Sequence, residues 1–173
     1  MKKKEKILNV LLVLGFIFYM AFLLWNILFK YVSPFELFSK ERWFSRSLNL
    51  IPFSGMLNGY FTDLDIYGNV MLFIPIGIYI NLTKKHSKLY IKILKMAMLS
   101  IAFEAIQYIF GIGATDITDV ITNTLGAVIG VGIYYFLKLL FKKPDRVKTF
   151  VTIASTLMMV VVSAILTAIM IYN

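Results

Sequence analysis

Residues 7–29 run for the depth of a bilayer without one charged side chain, and a helix crossing the hydrocarbon core needs about 20 such residues. Four further stretches have the same character. Residues 66–83, 120–137 and 149–173 carry no charge, and residues 96–115 carry only Glu104. In hydrocarbon every backbone N–H and C=O must be paired within the protein, which selects helices for segments of this kind. Only 16% of the chain is charged, against about a quarter in a soluble domain. The sequence therefore predicts an all-α integral membrane protein: a bundle of about five transmembrane helices with an amphipathic outer loop. Residues 1–173 read as a single membrane domain. The opening run is longer than a secretory signal core and no small-x-small cleavage pattern follows it, so it is expected to stay as the first helix.

The basic residues set an orientation. Lys2, Lys3, Lys4 and Lys6 precede the first span. Lys84, Lys85, Lys88, Lys92 and Lys95 fall between the second and third, and Lys138, Lys142, Lys143, Arg146 and Lys148 between the fourth and fifth. With the N-terminus inside, these fourteen of the 18 Lys and Arg residues are cytoplasmic. Such an excess defines the inner side, so the C-terminus is expected outside. The same lysines suit an anionic inner leaflet at about 1 kcal/mol each. The net charge of +9 is thus explained by topology, and no nucleic-acid partner is expected. Glu36, Glu41, Asp63, Asp65, Asp116 and Asp119 all fall on the outer side in this arrangement.

The outer segment 30–65 is too long for an idle connection. Its "KERWFSRSLNLIPFSGML" mixes Trp43, Phe44, Leu48 and Ile51 with Lys40, Arg42 and Arg46. Rings that bury beside cations that reach water suit the membrane interface, as a connector or as a lid-like element over the bundle. In the third span Ser100, Glu104 and Gln107 stand at i, i+4 and i+7, on one helix face. Glu104 lies about 12 Å from the nearer end of that span, and an intramembrane acid costs about 3 kcal/mol unless it faces the bundle and finds a partner. Asp116, Asp119 and Asn123 open the fourth span at i, i+3 and i+7, and Asp116 or Thr115 can cap it. Gly126 and Gly130 have the spacing of a close helix–helix contact. Pro75 in the second span, with Asn69 near its outer end, marks a site for a bend.

Four stretches in order carry a resemblance: "RSLNLIPF" (46–53), "GNVMLFIPIG" (68–77), "EAIQ" (104–107) and "DITDVITNTLGAVIG" (116–130). Over about residues 46–140 the chain resembles the VanZ-like family of bacterial membrane proteins, with helices 7–29 and 149–172 flanking that region. The resemblance implies a link to teicoplanin-type glycopeptide resistance through the Gram-positive cell envelope, and supplies no molecular activity. Asn49, Pro52, Asn69, Phe73, Pro75, Gly77, Glu104, Gln107, Asp116, Asp119, Asn123 and Gly126 match its motifs. Family members usually carry an arginine just before the aspartate pair. Here that stretch is "GIGAT", so Arg46 or Arg42 from the outer loop is the expected substitute.

The reading that follows is a polytopic envelope protein acting at the outer leaflet on a glycopeptide antibiotic or on a membrane lipid or lipid-linked envelope precursor. Arg46, Asn49, Asn69, Gln107 and Asn123 are the binding candidates. An alternative is an intramembrane enzyme acting on a lipid-linked substrate, with Glu104 as general acid/base and Asp116 and Asp119 orienting substrate or a divalent ion. A small proton-coupled transporter built on Glu104 is the other. The bland counterpart is interhelical hydrogen bonding, worth about 0.6 kcal/mol per contact. It suits the amides well and an acid poorly. The chain has no cysteine and one histidine, His86, in a lysine-rich turn, which removes Cys–His and Ser–His nucleophiles. No cofactor or resident metal is expected.

Overall fold

The computed structural model describes residues 2–30, 32–35, 39, 46–57, 63–83 and 87–172. Five long helices carry the chain: α1 (Lys2–Leu28), α3 (Asp63–Thr83), α4 (Leu89–Phe110), α5 (Ile117–Phe141) and α6 (Pro144–Tyr172). Among the described residues a single turn, α2 (Ser54–Leu57), and two short strands, β1 (Ser47–Asn49) and β2 (Ala114–Asp116), accompany them. By length and composition α1, α3, α5 and α6 are apolar enough to cross a membrane. α4 is the polar member, with Lys92, Ser100, Glu104 and Gln107 among its buried residues.

Helix ends follow local chemistry. α4 stops at Gly111, whose φ of 56° is the left-handed conformation that costs a glycine least. The N–H groups of Gly111 and Ile112 then close onto the carbonyls of Tyr108 and Gln107, the pairing that terminates helices at such a residue. α6 opens on Pro144, whose missing N–H would have had no helical partner in the first turn. α3 runs unbroken through Pro75.

The chain divides into two compact units, Leu24–Tyr135 and the combination of Met1–Leu23 with Phe136–Asn173. In the second of these Lys148 donates to Asn9, Phe141 and Phe150 pack with ring centroids 5.3 Å apart, and Val147 and Thr152 are buried. Most of the apolar surface of α6 is exposed, as a lipid-facing helix requires.

The other unit holds the motifs. α3 and α5 meet backbone to backbone through Gly77, Gly126 and Gly130. A Cβ at Gly126 would lie 2.1 Å from the Val70 carbonyl oxygen, and one at Gly130 only 2.0 Å from that of Ile74. The Gly126/Gly130 spacing is therefore a true close contact, as in lipid, where small residues let helices gain packing and polar contacts. Phe73, fully buried on α3, meets Phe103 of α4 edge-on at 6.2 Å.

Two features differ from the sequence reading. The third helix begins at Leu89, so Lys92 and Lys95 belong to it and not to a cytoplasmic turn. Lys92 is 2% exposed and donates to Asn81 Oδ1 at 2.7 Å, while Asn81 donates to the Gly77 carbonyl. A buried polar partner on the next helix, invisible to hydropathy, draws this lysine inward. Secondly, β1 and β2 pair in parallel, Ser47 with Ala114 and Asn49 with Asp116. Part of the outer segment is thus a strand laid against the entry to α5, where non-helical backbone is supported by protein. Of the residues the sequence singles out, Glu36, Lys40, Glu41, Arg42, Trp43, Phe44, Lys84, Lys85 and His86 lie outside the described residues, and the readings made on them stand untested.

Candidate functional site

The C-terminal ends of α1 and α4 and the N-terminal ends of α3 and α5 converge at one end of the Leu24–Tyr135 unit, with β1 and β2 beside them. Asp116 is the hinge of this end. It precedes α5, and its Oδ1 accepts the Thr118 N–H at 2.7 Å, an N-cap bond that satisfies one orphan donor of the first turn. Its Oδ2 accepts from Asn49 Nδ2 at 2.7 Å. Its own N–H donates 2.9 Å to Oε2 of Glu104. One aspartate thus ties β1, α4 and α5 together.

Asn49 is fully committed. Its Oδ1 accepts the Ile51 N–H at 3.1 Å, which fixes the amide orientation, and Nδ2 also reaches Ser54 Oγ at 2.6 Å. Phe53 takes φ 59°, costly for a bulky residue, and so aims its N–H at Thr118 Oγ1, 2.9 Å away. The loop 47–54 is therefore clasped to the start of α5 by Asn49 and Phe53. It leaves Leu48, Leu50 and Ile51 exposed, 56%, 66% and 67% respectively, as an interface-seeking tip should.

Glu104 is 4% exposed. Besides the Asp116 N–H it is tied by its backbone carbonyl, which accepts from Thr115 Oγ1 at 3.1 Å. One turn away on α4, Gln107 Nε2 donates 2.9 Å to the Ile27 carbonyl. Ser100, on the same face, accepts from Asn123 Nδ2 of α5 at 2.9 Å. The polar faces of α4 and α5 thus meet directly. Asp119 is half-buried and lies near Asp65, Asn69, Asp116 and Lys30, while Glu104 feels the charges of Asp116, Asp119 and Lys30. Lys30 pairs with Asp65 at 2.5 Å.

The residues singled out by the sequence are placed as follows. Glu104, Asp116, Asp119, Asn69 and Asn49 gather at this end; Gln107 lies one turn beyond Glu104 toward the C-terminal end of α4, and Asn123 one turn deeper than Asp119 on α5. Arg46 takes another position. Its Nη2 donates to the Ile109 carbonyl at 3.2 Å and its guanidinium lies over the Tyr108 ring at 5.5 Å, at the C-terminal end of α4 where a cation complements the helix dipole. Among the described residues the cation beside the acids is Lys30, which the sequence analysis did not single out. Its signal was position, immediately after the first span. Lys92 was the other miss.

Two buried side-chain oxygens at this end have no hydrogen-bond partner among the described residues, Gln107 Oε1 and Asn123 Oδ1, while the Asn69 amide donates toward Asp119. Among the described residues no three His, Cys, Asp or Glu side chains are arranged to hold a metal ion. Among the described residues this end offers hydrogen-bond acceptors and more acidic than basic side chains, with Asp119 half-buried.

Comparison with known proteins adds the relationship. Residues 16–141 match the VanZ/LLP1 family. The chain is 40% identical over 145 residues to Protein VanZ of Enterococcus faecium, covering 83% of this chain and 86% of that protein. No solved structure matches it.

Proposed function

We propose, from the premise that this chain belongs to the VanZ/LLP1 family, that it is a multi-pass envelope protein that lowers susceptibility to teicoplanin-type glycopeptides. It acts from the outer leaflet, with its N-terminus in the cytoplasm and its C-terminus outside. The working part is the polar end built by Glu104, Asp116, Asp119, Asn69 and Asn123, which engages a lipid or lipid-linked envelope component. The lysine-rich opposite side rests on anionic lipid.

The observation that carries this reading is the 40% identity to Protein VanZ over 83% of the chain, a span that includes most of the described polar end. The orientation is supported by the distribution of Lys and Arg, since charge left in short loops favours the cytoplasm. The experiment is expression in a glycopeptide-susceptible Gram-positive host with the membrane level of the protein measured. The minimal inhibitory concentration of teicoplanin should rise, and rise more than that of vancomycin. Unchanged teicoplanin susceptibility with the protein present in the membrane would refute the reading.

A further inference from the structure

Gln107 is 4% exposed, and its amide can take only one orientation. Nε2 donates to the Ile27 carbonyl, which can accept but never donate. The atom left over is therefore the acceptor Oε1, which has no partner among the described residues. A buried acceptor without a donor is a rare and costly arrangement in a folded protein. Asn123, 1% exposed, repeats it: Nδ2 is on Ser100 Oγ and Oδ1 is unpartnered. Both residues sit on the faces that carry the acids, Gln107 one turn from Glu104 on α4 and Asn123 one turn from Asp119 on α5.

Asn123 pairs with Ser100, which lies seven residues and about 10 Å from Gln107 along α4, so a single ammonium meets one of these oxygens, and the surroundings define what could meet Gln107 Oε1. Among the described residues Asp65, Asp116 and Asp119 share the neighbourhood with one ammonium, Lys30, which pairs with Asp65. A ligand that fits must bring hydrogen-bond donors for carbonyl oxygens and positive charge for carboxylates. A primary ammonium has three N–H donors and supplies both, whereas a quaternary ammonium supplies charge alone. A divalent ion is a poorer fit, because no three acidic ligands converge among the described residues. Lys30, held by Asp65, adds a positive charge at the same end that suits an oxygen close to the bound ammonium.

We propose that the polar end binds a primary ammonium flanked by a phosphate or ester oxygen, the pattern of an aminophospholipid headgroup. The inference rests on the reading above that this end is the working site. It does not depend on the glycopeptide phenotype.

The test uses the full chain purified in detergent, with binding of dioleoyl phosphatidylethanolamine and dioleoyl phosphatidylcholine measured by native mass spectrometry. These lipids share phosphate, tails and net charge and differ in N–H donors. The ethanolamine lipid should bind about tenfold more tightly, the worth of a charged hydrogen bond. Soluble O-phosphoethanolamine separates the sources. Competition at millimolar concentration assigns recognition to the headgroup chemistry wherever it occurs, and failure to compete assigns it to a lipid.

Gln107→Leu and Asp119→Asn should each bring the two lipids toward equal affinity. If Gln107→Leu does not accumulate, Asp119→Asn at its half-buried position carries the test. Equal affinity of the unaltered protein for the two lipids, or a preference unchanged in Asp119→Asn, would overturn the inference. A lipid preference in a protein that leaves teicoplanin susceptibility unchanged would instead refute the proposed function and leave this inference standing.

Discussion

Alanine at Gly126 should separate α3 from α5 and lower stability measurably. The added Cβ would lie 2.1 Å from the Val70 carbonyl oxygen, whereas ordinary contact begins at 3.4 Å, so the helices must part by about 1.3 Å. The obstructing atom is backbone, so no rotamer change relieves it. Overpacking of this kind costs about 1–3 kcal/mol, and a rigid obstacle belongs at the upper end. Replacing glycine by alanine within a helix returns about 1 kcal/mol. The net loss is about 2 kcal/mol, or roughly 4–8 °C in Tm for a chain of this size. Gly132 lies on the same helix with nothing within 4 Å of a Cβ. Gly132→Ala should therefore leave Tm unchanged or raise it by about 2–4 °C. The assay is thermal unfolding of both variants in the same detergent, followed by aggregation or tryptophan fluorescence. Equal Tm values for Gly126→Ala and Gly132→Ala would refute the close α3–α5 contact. The consequence reaches the polar end, because Asn69 immediately precedes Val70 and Asn123 lies one turn before Gly126.

Asp116→Ala removes the α5 cap and the Asn49 anchor together. It should lower stability by about 1–2 kcal/mol and speed hydrogen exchange in residues 47–54, and slow exchange there would contradict the clasp. Asp116→Asn keeps one acceptor for the Thr118 N–H and should lose less. Lys92→Met removes a buried ammonium and its desolvation cost but leaves the buried Asn81 Oδ1 without a donor, so it should lower stability by no more than about 1 kcal/mol in a Tm measurement. Asn81→Leu leaves that ammonium without its acceptor and should cost about 3 kcal/mol or more; the opposite order would show that Lys92 is held by other means. A single cysteine at Ser54 or Ala114, in a chain with none of its own, should react with an impermeant maleimide from outside intact cells. One at Ser87 should not, and the reverse pattern would invert the proposed orientation.

Hydropathy made the helices legible because length and lack of charge are local properties. Residue spacing did the same for the Ser100–Glu104–Gln107 face and the Gly126–Gly130 contact, since a helix places such positions together wherever it lies. The capping role of Asp116 was readable from its place before an apolar run. The β1–β2 pair was not. Two three-residue strands separated by 64 residues leave no periodic pattern, and their register depends on how α3 and α4 pack between them. Lys92 was misread for a related reason. A lysine at the edge of an apolar window looks like a loop residue until the helix carrying Asn81 supplies an acceptor. The pairing of Lys30 with Asp65 likewise joins the end of one helix to the start of another, 35 residues apart, which no local signal records.

The central claim is that the polar end, and not merely a folded bundle, lowers teicoplanin susceptibility. Glu104→Gln tests it most directly. Glutamine keeps the length of the side chain and an oxygen for the Asp116 N–H, so the variant should reach the membrane at the level of the unaltered protein. At matched membrane level, the account predicts that it no longer raises the minimal inhibitory concentration of teicoplanin in the susceptible host. Full tolerance from the Glu104→Gln protein at that level would contradict it and leave Glu104 as a packing residue.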